Sequence, residues 1–133
     1  VGLDPSVTWA KHGIYLDASD ATIADNTITN FQSSGVSARY RNSTITDNYI
    51  ANGEFGITFY QYDPLAATSH WTANSILNTT VASVYVNGGS GGLMATHESF
   101  VITGNTLQPS PGSQTLSLES TSGTIQTGHN SVQ

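Results

Sequence analysis

One phrase recurs along this 133-residue chain and limits what it can fold into. An apolar or β-branched residue is followed by two residues, an Asn, one more residue and a second apolar one. The copies are Ile23-Ala24-Asp25-Asn26-Thr27-Ile28, Ile45-Thr46-Asp47-Asn48-Tyr49-Ile50, Trp71-Thr72-Ala73-Asn74-Ser75-Ile76 and Ile102-Thr103-Gly104-Asn105-Thr106-Leu107. A last copy, ending His129-Asn130-Ser131-Val132, carries one extra residue. The Asn-to-Asn spacings are 22, 26, 31 and 25, and a second Asn follows four residues later at Asn30, Asn52 and Asn78. Periods of this size mark solenoids, in which each repeat stacks on its neighbours and buries a continuous core.

Between the Asn phrases lie short alternating segments opened by Gly, Ser or Thr. Gly13-Ile14-Tyr15-Leu16-Asp17, Gly35-Val36-Ser37-Ala38-Arg39 and Gly56-Ile57-Thr58-Phe59-Tyr60 align without gaps. Ser83-Val84-Tyr85-Val86-Asn87 and Thr115-Leu116-Ser117-Leu118-Glu119 continue the series. Alternation with period 2 predicts strands with one buried face. Pro5, Pro64, Pro109 and Pro111 fall between the strand phrases, where the missing N–H costs no ladder bond. A sharp bend between strands leaves amides unpaired; an inward Asn can bond them and the Asn of the next coil. Asn also tolerates the left-handed conformation that such bends need. Asn26, Asn48, Asn74, Asn105 and Asn130 are therefore expected to form a structural ladder. A β-sandwich of short strands is the competing architecture, but it leaves the Asn register unexplained.

The N-x-I/L phrases at Asn26, Asn48, Asn74 and Asn105, with the Gly-Ile starts at Gly13 and Gly56, resemble the right-handed parallel β-helix of the pectate-lyase-like superfamily. The resemblance covers roughly residues 13–132. It implies an all-β solenoid of about five coils, with residues 1–12 as a lead-in or incomplete coil and residues 13–133 as the β-helix domain. The superfamily includes pectate and alginate lyases, polygalacturonase-type hydrolases, mannuronan epimerases, inulin fructotransferases and phage tailspikes. No one member's catalytic signature stands in this chain. Neither terminus reads as a cap for an open strand edge. The expectation is therefore a piece of a longer β-helix or a homotrimeric fibre.

Composition narrows the partners. Charged residues are 9% of the chain, against about 25% in typical domains. Their solvating role falls to 17 Ser, 18 Thr and 10 Asn. The net charge is −6 with three Lys and Arg, so no basic stripe exists for nucleic-acid phosphates. No apolar run reaches the length of a membrane span. With no Cys, disulfides, thiolate zinc sites and Cys nucleophiles are excluded.

Strand alignment also predicts an exposed face. One outward column reads Tyr15, Ser37, Thr58, Tyr85 and Ser117; the next reads Asp17, Arg39, Tyr60, Asn87 and Glu119. A third reads Ser19, Arg41, Tyr62, Gly89 and Thr121. Arg offers a planar fork for carboxylates or sulfates, and Tyr a flat apolar face for a sugar ring. Tyr15, Arg39, Arg41, Tyr60, Tyr62, Asn87 and Glu119 are accordingly the candidate substrate-binding residues. Asp17, Arg39 and Glu119 read equally well as cross-strand charge partners on a solvated face. The longest insertions, residues 62–69 and 87–99, flank this face.

The resemblance implies, for a polysaccharide lyase, an Arg or Lys base and often calcium held by carboxylates. Arg39 or Arg41 fits the base, with Asp17 beside it, but the Asp cluster is missing. Hydrolases need paired carboxylates, and none stands on adjacent strands; Asp17 and Asp20, with Asp63 as a neighbour, come nearest. Calcium stays open through Asp4, Asp17, Asp20, Asp25 and Asp47, although a calcium site needs six or more converging oxygens. No metal site is assigned. His12, His70, His97 and His129 are scattered, and His97-Glu98 in a glycine-rich insertion is expected to lie in a mobile loop. The sequons at Asn42 and Asn78 are expected by chance in so polar a chain, and Asn78 aligns with Asn30 and Asn52 as a structural residue. The reading is extracellular carbohydrate recognition, as in a tailspike or tail-fibre segment or a surface adhesin. A polysaccharide lyase, epimerase or glycoside hydrolase is the first alternative, and a structural stalk the second.

Overall fold

The structure, a computed structural model, describes residues 11–60, 67–87, 98–118 and 123–133. Within them the strands pair in parallel and wrap into a three-faced solenoid. The first face is built from β1 (Ile14–Leu16), β4 (Ser34–Ala38), the second halves of β6 (Tyr49–Tyr60) and β8 (Ser75–Asn87), and β11 (Gln114–Leu118). The second face holds β3 (Thr27–Thr29), the first halves of β6 and β8, β10 (Thr106–Gln108) and β13 (Ser131–Val132). The third face stacks β2 (Thr22–Ala24), β5 (Thr44–Thr46), β7 (Thr68–Thr72), β9 (Ser99–Thr103) and β12 (Ile125–Gln126). Five strands on this last face correspond to five coils of a parallel β-helix, as the repeats predict.

The corner between the third and second faces carries the Asn ladder. Asn48 Oδ1 accepts the Asn26 N–H at 3.0 Å, and Asn48 Nδ2 donates to the Ile23 carbonyl at 2.9 Å. Asn74 repeats the pair on Asn48 N–H (3.1 Å) and the Ile45 carbonyl (2.8 Å). Asn105 does so on Asn74 N–H and the Trp71 carbonyl, both 2.9 Å. Asn130 does so on Asn105 N–H (3.0 Å) and the Ile102 carbonyl (2.8 Å). Each side chain thus serves two backbone groups of the preceding coil, which the bend takes out of the sheet hydrogen bonding. Asn48, Asn74 and Asn105 are buried, so no water can substitute.

The left-handed backbone lies one residue earlier than the sequence reading placed it. Asp25, Asp47, Ala73, Gly104 and His129 have φ between 55° and 68°, whereas the ladder Asn residues do not have positive φ. The preceding residue turns the chain, which leaves the Asn side chain free to point inward. At the second corner the turning residues are Asn30, Asn52 and Asn78, which form an exposed outer ladder at 3.2 and 3.1 Å. Coils three and four run through this corner as continuous strands rather than as the separate short strands expected. A register shift between Gly53 and Phe55 absorbs the bend.

The core is columnar. Val36, Ile57 and Val84 from the first face, Ile28, Ile50, Ile76 and Leu107 from the second, and Ile23, Ile45, Trp71 and Ile102 from the third are buried in register. Each such side chain contributes roughly 1.5–3 kcal/mol. The wider coils are filled by aromatic rings: Phe100 packs edge-on against Phe59 at 4.9 Å and Trp71 at 5.1 Å. Gly35 is required because a Cβ there would run into Ile50 of the second face.

Two stability outcomes follow. Asn48→Leu strips partners from Asn26 N–H and the Ile23 carbonyl and is expected to cost at least about 3 kcal/mol. Asn52→Gly, which keeps the φ of 67° and loses only the exposed ladder side chain, is expected to change stability by about 0.5 kcal/mol or less. Urea unfolding measures both, and equal losses would contradict the inner ladder's role. Ala73→Gly relieves a φ of 56° at an exposed residue and is expected to raise stability by about 1 kcal/mol.

Candidate functional site

The register that buries Val36 and Ile57 aims the alternate residues outward. Tyr15, Ser37, Thr58, Tyr85 and Ser117 align across the first face, as expected. Tyr60 pairs with Asn87 in the next column, and Arg39 N–H donates to the Leu16 carbonyl at 3.3 Å one coil below. The larger of these side chains form a band along the stacking direction. The Arg39 guanidinium lies 5.1 Å from the Tyr15 ring centroid and 5.0 Å from that of Tyr60. Tyr85 continues the band at 5.6 Å from Tyr60 and 5.3 Å from Phe55. His12 begins it at 5.6 Å from Tyr15. Cation–π contacts contribute about 0.5–2 kcal/mol each, so two rings hold the Arg39 side chain in a fixed pose. Its donors are thereby presented without the rotamer entropy a free Arg would lose on binding.

The small residues on this face behave differently from the expectation of an exposed column. Ser37 and Thr58 are fully buried, at the feet of their larger neighbours. Thr58 Oγ1 and Ser34 Oγ share a hydrogen bond of 2.9 Å, while Ser37 Oγ has no hydrogen-bond partner among the described residues. Asn87 is 7% exposed and offers a ligand almost no surface, which removes it from the binding residues. Tyr15, at 51% exposure, is the most open ring of the band, and Arg39 and Tyr60 are half-buried.

The remaining candidates divide by position. Asp17 is exposed and makes no ion pair among the described residues. Arg41 is half-buried at the third corner, where its carbonyl accepts the Asp20 N–H at 3.2 Å. Tyr62 and Glu119 lie outside the described residues, as do Asp4, Asp63, His97 and most of both insertions. No three His, Asp or Glu side chains gather as metal ligands among the described residues. His70 and His129 are both exposed and take no part in the band.

Two residues escaped the sequence reading. His12 joins the band, and burial, with the positive charges of Arg39 and Lys11 added, holds its pKa below the ordinary imidazole value. The signal was its place just before Gly13, in line with Ser34 and Phe55. Glu98, expected in a mobile loop, is instead fully buried. Its Oε1 accepts the Asn42 N–H at 2.9 Å and the Ser69 hydroxyl at 2.7 Å. The chain of bonds continues through Ser43 Oγ to the Trp71 indole N–H, at 3.0 and 2.9 Å. The carboxylate needs these donors to leave water, and in gaining them it ties the fourth coil to the second and third.

A family model described as a right handed beta helix region matches residues 6–132. The chain belongs to this right-handed β-helix family. No curated protein and no solved structure gives a significant match.

The Glu98 network has a measurable consequence. Glu98→Ala leaves the Asn42 N–H and the buried Ser69 hydroxyl without their acceptor and is expected to cost about 3 kcal/mol in urea unfolding. Glu98→Gln keeps an acceptor oxygen for both and is expected to cost less than half of that.

Proposed function

We propose that this right-handed β-helix is a glycan-recognition scaffold whose binding face is the band of Tyr15, Arg39, Tyr60 and Tyr85. The observation that carries the reading is the Arg39 guanidinium clamped between two tyrosine rings. A fixed planar fork flanked by flat apolar faces suits a sugar ring bearing hydroxyl or acidic groups. Coils about 4.8 Å apart let an oligosaccharide run along the stack and meet one band residue per coil. Sparse charge and a surface rich in Ser, Thr and Asn support an extracellular setting, on a tailspike, a tail fibre or a surface adhesin. Assembly as a homotrimer or within a longer β-helix is compatible with the same face.

Affinity electrophoresis and calorimetry against neutral and acidic polysaccharides test the reading. Wild type is expected to bind at least one of them. Arg39→Ala and Tyr60→Ala are each expected to weaken binding about tenfold, roughly 1.4 kcal/mol. Tyr49→Ala, on the second face, is expected to bind as wild type does. Absence of binding across the panel would overturn the proposal. Shortening of a polysaccharide by wild type, lost in Arg39→Ala, would replace a binding scaffold with an enzyme.

A further inference from the structure

We propose that Lys11 and His12 extend the band into a subsite for an anionic substituent, which seats the carboxylate or sulfate of an acidic sugar beside Arg39. This inference rests on the glycan-binding reading and names the class of sugar. The chain has three Lys and Arg in all and a net charge of −6. Two of the three nevertheless converge on His12, which lies 5.6 Å from the Tyr15 ring that Arg39 approaches from 5.1 Å. Like charges brought together oppose one another, and an anion among them relieves the repulsion.

The surroundings fit such a group. His12 Nδ1 is buried and has no hydrogen-bond partner among the described residues. A cleft of about 380 Å³ lies beside it, lined by Lys11, Gln32, Ser33 and Glu54. Its lining is set by the stack: Ser33 N–H donates to the Lys11 carbonyl, and Phe55 N–H to the Ser33 carbonyl, both at 2.8 Å. Lys11, Ser33 and Glu54 therefore stand on successive coils. Lys11 and Glu54 form no ion pair with each other among the described residues, so the ammonium remains available to a ligand. The Glu54 carboxylate on the far side orients an acidic group toward Lys11 and His12 by repulsion.

The groups facing His12 are Lys11, Arg39 and Tyr15, with Glu54 across the cleft. With no anion bound the two cations oppose a third charge, and His12 is neutral at pH 7. A bound anion reverses that balance, and by linkage protonation of His12 tightens the anion in return. Affinity for an acidic sugar therefore rises as pH falls through the His12 titration, while the sugar's own acid group stays ionised.

NMR titration of His12 in the whole chain tests this, with and without an oligogalacturonate, a sulfated oligosaccharide and a neutral cello-oligosaccharide. The acidic ligands are expected to move the His12 midpoint upward and to bind about fivefold more tightly at low than at high pH. The two acidic arms show whether carboxylate or sulfate is preferred. Lys11→Ala is expected to weaken acidic ligands selectively, Glu54→Gln to strengthen them, and His12→Asn to abolish the pH dependence. If His12→Asn fails to fold, the wild-type midpoint and Glu54→Gln decide. Equal binding of neutral and acidic ligands with an unmoved midpoint would overturn this inference and leave the glycan-binding reading standing. No binding of any ligand would overturn both.

Discussion

The hydrogen bonds of the inner Asn side chains are the interaction on which the rest of this structure depends. A parallel solenoid must turn its chain sharply in every coil, and each turn takes backbone groups out of the sheet hydrogen bonding. Here a single side chain per coil answers that cost twice, with Oδ1 accepting an amide and Nδ2 donating to a carbonyl one coil away. The same geometry fixes the coils in register. The left-handed residue before each Asn makes the turn, which explains why Asp, Gly and His are acceptable there and Ala73 is strained.

Register at that corner determines what the first face can display. Once Val36, Ile57 and Val84 point inward, Tyr15, Tyr85 and their alternates must point outward. Consecutive coils then bring Tyr15, Arg39 and Tyr60 within contact without any further design. In a chain with so few cations, the clamped Arg39 and its neighbours Lys11 and His12 make this edge electrostatically distinct. The third corner is anchored differently, by Glu98 reaching back to Asn42 and Ser69.

The ladder, the inward columns and the parallel architecture were legible because all three are periodic, and period survives in a single sequence. What was not legible arises from packing between neighbours on the same face. Period 2 assigns Ser37 and Thr58 to the outside, yet it says nothing of the larger side chains beside them, and both are buried. Glu98 follows a glycine-rich stretch and reads as a loop residue; only the three-dimensional proximity of Asn42 and Ser69 shows why a carboxylate can be buried there. His12 precedes the first alternating phrase by one position and carried no pattern of its own. Arg39 and Tyr60 were found because register and chemistry coincide at those positions, whereas Asn87 met the register and not the exposure.

Amide hydrogen exchange, followed by NMR, tests most directly whether the inner ladder holds the coils together. The account predicts that the Asn48, Asn74 and Asn26 amides, each donated to the next Asn side chain, exchange only through global unfolding and rank with the buried strands. Exchange of these amides at rates typical of exposed turns, with the strands still protected, would contradict it and would assign the register to the apolar columns alone.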